Sequence, residues 1–221
     1  MVHDLGLLAR EQGDYGRARE LFEESLSLWR SLDDLAWIAN VALGLGITYL
    51  LDGKPTQARV RLDEAAGLYE RLGDRYGRAV VAAERGHLAR AEGQTNLAIT
   101  LFGEALRYFA AIGASEAVVY CIECLAATAA DRDDAGLALR LFGASQEARK
   151  TMHLPPPGDR DARLVDAGIA QASKGTGPDA ASMLVVGRAL SLDQARQESL
   201  ELVARAAACD PASGDRSGDR N

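Results

Sequence analysis

The feature that most constrains this chain is a period of 40 residues. Gly13, Gly53, Gly93 and Asp133 stand at that spacing, each following one apolar run and preceding another. Five residues after each marker come Ala18, Ala58, Ala98 and Ala138, and nine residues after come Phe22, Leu62, Phe102 and Phe142. Seven residues before stand Gly6, Gly46, Gly86 and Ala126. Self-similarity at a fixed period of this length predicts a solenoid, in which no unit can bury its apolar face without its neighbours. The best-formed copy runs from about Trp37 to Asp74, and everything before Leu154 can be laid over it.

Each unit reads as two amphipathic helices joined by a short polar turn. In the second unit, helix A is expected over about Ala36 to Leu51 and the turn is Asp52-Gly53-Lys54. Helix B opens at Pro55, which a first helical turn tolerates, and ends near Leu72. Gly73, and Gly113 in the third unit, follow where a left-handed cap needs a residue without a Cβ. Aromatic residues are only 5% of the chain and Ala, Leu and Val dominate its apolar positions, so the class is all-α. The units are expected over 1–34, 35–74, 75–114 and 115–153. The fourth is the most divergent, with Asp-Arg-Asp-Asp at 131–134 in place of the glycine turn.

The run Leu154-Pro155-Pro156-Pro157-Gly158 ends the register, because successive prolines cannot continue a helix. A C-terminal helical cap is expected over 154–208. It comprises a helix over Asp159 to Ser173, a turn at Lys174 to Pro178, and a short helix over Asp179 to Val186. Ser191-Leu192-Asp193-Gln194 forms a capping box that opens a last helix to about Ala208. Residues 209–221 have no apolar anchor and are expected to be disordered. Helix A of the first unit already runs at Val2 or His3, without a polar outer cap, which favours a fragment whose upstream part is missing over a frayed helix start.

Charge and motif content exclude several functions. A net charge of −7 opposes direct binding to a nucleic-acid backbone, which needs basic clusters. No basic region precedes an apolar stretch at the N-terminus, so no secretory signal is expected. The longest uncharged run, Leu35 to Leu51, is shorter than the ~20 residues of a membrane span. Three cysteines make no disulfide framework, and a cytoplasmic location is expected. Cys121-Ile-Glu-Cys124 lies inside a helix, with no second ligand pair and no helix N-terminus to activate it, so it is assigned to packing. His3, His87 and His153 have no metal-ligand spacing. Neither 52–56 nor 173–177 has phosphate-loop spacing, and no nucleophile elbow occurs. No cofactor, no metal and no catalytic residue is expected.

Leu45, Gly46 and Tyr49 in helix A, with Ala58, Leu62 and Ala65 in helix B, resemble the tetratricopeptide repeat. Leu5-Gly6 and the other in-register alanine and aromatic positions match the same consensus. The familiar period is ~34 residues, so each helix here is longer by up to a turn; Arg85 replaces the consensus leucine, and Ala9 and Ala89 replace the large residue supplied by Tyr49. The resemblance implies a right-handed TPR-like solenoid of helical hairpins. A second resemblance covers nearly the whole chain. Leu137–Lys150 (LALRLFGASQEARK), Leu154-Pro155 and above all Gly187–Ala195 (GRALSLDQA) are similar to the C-terminal helical region of LuxR-type and antibiotic-regulator-type transcription factors. Those place a STAND-class ATPase before such an array; GDYGRA and GDRYGRA in the first and third units match it too. The stretch from Gly158 to Gly187 departs in lacking aromatic residues.

In tetratricopeptide arrays one face of helix A lines a concave groove. Carried over, those offsets select His3, Leu7 and Arg10, then Asn40, Leu43, Ile47 and Leu50, then Val80, Ala83, His87 and Arg90, then Tyr120, Glu123 and Ala127. An apolar floor with a few polar groups suits a protein helix, an extended peptide or a second copy of the chain as a homo-oligomer. The implied function is a non-catalytic interaction and sensing module of a bacterial transcriptional regulator, without its ATPase and DNA-binding domains. The alternative is a free-standing scaffold unrelated to transcription. If the 40-residue register is right, Ala58→Leu should overpack the contact between helices A and B. A destabilisation of about 1–3 kcal/mol in thermal or denaturant unfolding is expected, and an unchanged unfolding curve would show the register to be wrong.

Overall fold

The backbone turns over in the same way every 20 residues, twice per sequence repeat. Positive φ angles occur at Gly13, Asp33, Gly53, Gly73, Gly93, Gly113, Asp133 and His153, between 53° and 78°. At these turns the next residue's N–H donates to a carbonyl five positions back: Asp14 to Ala9, Lys54 to Tyr49, Asp74 to Tyr69 and Ala114 to Phe109, each at 2.9 Å. This bond closes the left-handed helix stop and satisfies an otherwise orphaned carbonyl. The same following residue then opens the next helix. Asp14, Asp34 and Asp74 accept from the backbone N–H groups of Arg17, Trp37 and Gly77 at 2.9, 3.1 and 2.9 Å. Each such cap is worth about 1 kcal/mol.

The computed structural model describes residues 1–208, which contain helices and no strand. The disorder expected for 209–221, with Cys209, falls outside the described residues. Two compact units are present, Met1–Glu92 and a second beginning at Gly93.

The first unit holds α1 (Val2–Glu11), α2 (Tyr15–Ser31), α3 (Leu35–Leu51), α4 (Pro55–Leu72) and α5 (Arg75–Ala91). α3 and α4 lie within a residue of the helices expected over 36–51 and 55–72. Phe22 and Leu62, the large residues of the two B helices, are fully buried, as are Ala18 and Ala58. A Cβ on Gly46 would come within 2.7 Å of the Leu62 side chain, and one on Gly6 within 3.0 Å of the Phe22 ring. Glycine therefore lets helix A approach until the partner's side chain fills the gap. Arg19 pairs with Asp52 and, 40 residues on, Arg59 pairs with Glu92. Across the B helices Arg61 bonds Glu23 at 2.7 Å. Such partly exposed pairs contribute little stability, about 0–1 kcal/mol each, but they repeat with the register.

The second unit holds α6 (Thr95–Ala111), α7 (Ser115–Asp131), α8 (Ala135–Thr151), α9 (Asp159–Thr176), a 3-10 turn at Gly177–Asp179, α10 (Ala180–Arg188) and α11 (Leu192–Ala208). α9 runs three residues past its expected end at Ser173, into the expected turn, because the break comes only where Gly177 takes a positive φ and Pro178 follows. α7 is enclosed by α6, α8, α9 and α11, and every residue from Cys121 to Ala130 is buried. The added helices dock through glycines instead of aromatics. A Cβ on Gly168 of α9 would meet the Phe142 ring at 2.5 Å, and one on Gly103 of α6 would meet Val203 of α11 at 2.6 Å. α8 and α10 touch backbone to backbone, since a Cβ on Gly187 would lie 2.1 Å from the Arg140 carbonyl oxygen. The capping box is formed: the Ser191 N–H donates to Gln194 Oε1 at 2.8 Å and the Gln194 N–H to Ser191 Oγ at 3.2 Å.

Asp133 occupies the left-handed position where the other three markers have glycine. Its replacement by glycine should raise stability by a few tenths up to about 1 kcal/mol, and Gly53→Ala should lower it by about 1 kcal/mol. No atom lies within 4 Å of the Cβ that Gly53 would gain, so that cost is one of backbone conformation alone. Equilibrium urea unfolding measures both; equal midpoints for wild type and Gly53→Ala would contradict the turn geometry.

Candidate functional site

The candidate surface is the helix-A face of the first unit, and the packing of α3 decides its character. α3 buries Ile38, Ala39, Val41, Ala42, Gly44, Leu45, Gly46 and Thr48 against its neighbours, which leaves Asn40, Leu43, Ile47 and Leu50 on a half-open strip. Leu43, Ile47 and Leu50 are half-buried and Asn40 is exposed. Leu43 packs against both apolar clusters of the unit, one built on Phe22, Leu26 and Leu45, the other on Ala58, Leu62 and Leu88. Leu50 packs against the second. These side chains thus hold the hairpins together with one side and offer the other to solvent.

Asn40 is fixed within this strip. Its Oδ1 accepts from the Tyr69 hydroxyl at 2.7 Å. Burial of Tyr69, with Asp74 nearby, pushes the phenol up to about 12, so the hydroxyl stays protonated and donates. The Asn40 amide therefore presents its NH2 donors outward. On α5, Val80 and Arg90 are half-buried, whereas Ala83 and His87 are interior, at 2% and 8% exposure. Ala83 and His87, selected as groove residues, lie in the packed interior of α5 and present little contact area.

Two tryptophans extend the strip beyond the positions selected from sequence. Trp37 opens α3 three residues before Asn40 and is 38% exposed. It stacks on Trp29 of α2 with ring centroids 5.0 Å apart and planes at 7°. His3 of α1 meets Trp37 edge-on at 5.6 Å and Phe22 at 5.4 Å. Burial holds the imidazole below the usual histidine range, with Asp4 pulling the other way. Its Nδ1 is buried and has no hydrogen-bond partner. Leu7 and Arg10 of α1 are half-buried beside it. The signal for this platform was present, because the chain has only two tryptophans and both flank one turn. It was missed because the repeat offsets ignore residues that lack a counterpart in other units.

In the second unit the corresponding face is occupied by the chain itself. α9 packs on α7, and Gly168 lies against Ala127. Tyr120 is half-buried, and Glu123 is 2% exposed. Glu123 accepts two bonds from Arg149 of α8, Nε to Oε1 at 2.7 Å and a terminal nitrogen to Oε2 at 2.8 Å. Arg149 also donates to the Pro155 carbonyl at 3.1 Å, which ties the start of the proline break to α8. Removing Arg149 strands the buried Glu123 carboxylate, at about 3–5 kcal/mol. Glu123, selected to orient a ligand, is thus an internal partner of Arg149.

Cys121 and Cys124 are fully buried, and burial pushes both thiols well above their ordinary range, the opposite of activation. Among the described residues no group of three or more His, Cys, Asp or Glu side chains is placed to hold a metal, and no helix is long and apolar enough to cross a membrane.

Comparison with known proteins agrees with this architecture. Residues 1–71 match the tetratricopeptide repeat family. No curated protein matches the chain. Among solved structures, the chain is similar to a crystal structure from Podosopora anserina of nearly identical TPR-like repeats in a chain assigned as a kinesin light chain. The TM-score is 0.57 at 17% identity, over 98% of this chain and 96% of that one. The fold is accordingly an all-α array of TPR-like hairpins, and the match to the tetratricopeptide repeat itself covers its first 71 residues.

Proposed function

We propose that this chain is a non-catalytic protein-interaction module whose receiving surface is the helix-A strip of the first unit. The observation that carries this reading is the half-open row Trp37, Asn40, Leu43, Ile47 and Leu50 on α3, continued by Val80 and Arg90 on α5. It joins an apolar floor to a pre-oriented amide and a stacked aromatic pair, which is the composition of a site for an amphipathic helix or extended peptide. Aromatic anchors of this kind carry a large share of binding energy, because they bury area at low conformational cost.

The setting we propose is a bacterial signal-transduction regulator in the cytoplasm, where the module receives a signal and passes it to ATPase and DNA-binding partners. Support comes from the GRALSLDQA segment. Its glycine, Gly187, is the residue that allows α10 to touch the α8 backbone, and its Ser191 and Gln194 form the capping box of α11. The family-like residues therefore have structural work at the C-terminal cap.

The test is a pull-down with the wild-type chain beside an Ile47→Asp, Leu50→Asp variant shown by circular dichroism to keep its helicity. Both side chains are half-buried, so the variant disturbs the strip more than the core. Loss of a defined partner in the variant, by about tenfold or more in affinity, is expected. Equal recovery of every partner would place recognition elsewhere. ATP hydrolysis or sequence-specific DNA binding by the isolated chain would overturn the module assignment itself.

A further inference from the structure

The hairpins turn over at two edges, and the residue that precedes the left-handed turn differs between them. At the turns from helix A to helix B it is Gln12, Asp52, Glu92 and Arg132, before the positive φ of Gly13, Gly53, Gly93 and Asp133. At the turns from helix B to helix A it is Leu32, Leu72, Ile112 and Met152, before Asp33, Gly73, Gly113 and His153. The left-handed stop is common to both edges, so it does not by itself require an apolar residue. Nor does the core, because these four side chains are 68%, 41%, 50% and 38% exposed. Leu72 is open although α3 packs on α4 before it and α5 after it, so the exposure belongs to the edge itself. Charge on this edge changes sign within each unit. In the first unit Leu32 is followed by the exposed Asp33 and by Asp34, whereas Leu72 stands between Arg71 and Arg75, both exposed, with Asp74 capping α5. Arg30, at the same register as Glu70, reaches to Glu64 of α4 and not to the edge. In the second unit Ile112 is followed by the exposed Glu116, and Met152 has the exposed Lys150 beside it.

We propose that the edge of the first unit carrying Leu32 and Leu72 is a self-association surface, and that its occupant is a second copy of the chain, docked antiparallel about a two-fold axis between the two turns. Such an axis sets Leu32 of one copy against Leu72 of the other. It also sets Asp33 against Arg71 and Arg75, and the symmetry makes each contact twice. Apolar area then meets apolar area, and both charge contacts are opposite in sign. Parallel docking of the same edges would bring acid against acid and base against base. The distance between turns is fixed by the repeat, and a second copy matches that distance by construction. Two turns make a contact at the low end of interface sizes, below about 1,200 Å², so the dimer is weak and depends on concentration.

Sedimentation of the full chain over a concentration series reaching the millimolar range tests this. A monomer–dimer equilibrium is expected, weakened about tenfold or more by Leu32→Asp and by Leu72→Asp with helicity kept, and weakened by added salt. Asp33→Arg and Arg71→Glu should each weaken it too. Mixed together, those two variants should form a heterodimer, because one then carries the basic and the other the acidic side of every facing pair. Asp33 has a left-handed backbone, so Asp33→Gly, which suits that conformation and removes only the charge, separates charge from strain and should also weaken the dimer. The Ile47→Asp, Leu50→Asp variant should dimerise like the wild type; loss of the dimer there would move the interface to the helix-A strip and overturn the proposal. So would a chain that stays monomeric at millimolar concentration, a dimer indifferent to Leu32 and Leu72, or charge variants that fail to pair when mixed.

Discussion

The structure depends on one contact, a large side chain of helix B set against a small residue of helix A. Phe22, Leu62, Phe102 and Phe142 are each fully buried, and each contributes about 1.5–3 kcal/mol through the apolar area removed from water. That burial requires the opposing helix to come close. At Gly46 a single added methyl would overlap Leu62, so the glycine and the leucine are two halves of one contact. The short turns follow from it: antiparallel helices at this separation are joined by three residues, and three residues suffice only if one takes the left-handed conformation.

The same device explains how the chain ends its array. Beyond the proline break, α9, α10 and α11 fold back on α6, α7 and α8 through Gly168, Gly187 and Gly103. Backbone approach at these points buries α7 on all sides, and it makes Glu123 affordable only as part of the forked pair with Arg149. In the first unit, α3 keeps one strip half open. Within one array, a helix-A face is therefore packed under a further helix in one copy and left half open in another.

Charged residues repeat with less fidelity than apolar ones, yet where they repeat they mark interfaces. Arg19–Asp52 and Arg59–Glu92 are the same pair one register apart. Neither pair holds the fold by itself, because partly exposed charges gain little over their hydration. Their value is geometric: they identify which side of each helix B faces the next hairpin.

Hydrophobic period, turn glycines and the capping box made the all-α class, the helices α3 and α4 and the start of α11 legible from sequence alone, because these are local signals written into neighbouring residues. The left-handed turns at Gly73 and Gly113 were legible, but their counterparts at Asp33 and His153 were not, since there the conformation falls on residues other than glycine. Tertiary structure alone decided the site. Repeat offsets treat all four A helices alike and so grouped Leu43 and Ile47 with Ala83, His87 and Glu123. Which of them stay open to solvent depends on α9 lying on α7 and on the partners that side chains find across helices. That depends on contacts between segments far apart in the chain, about which no single stretch of sequence carries information.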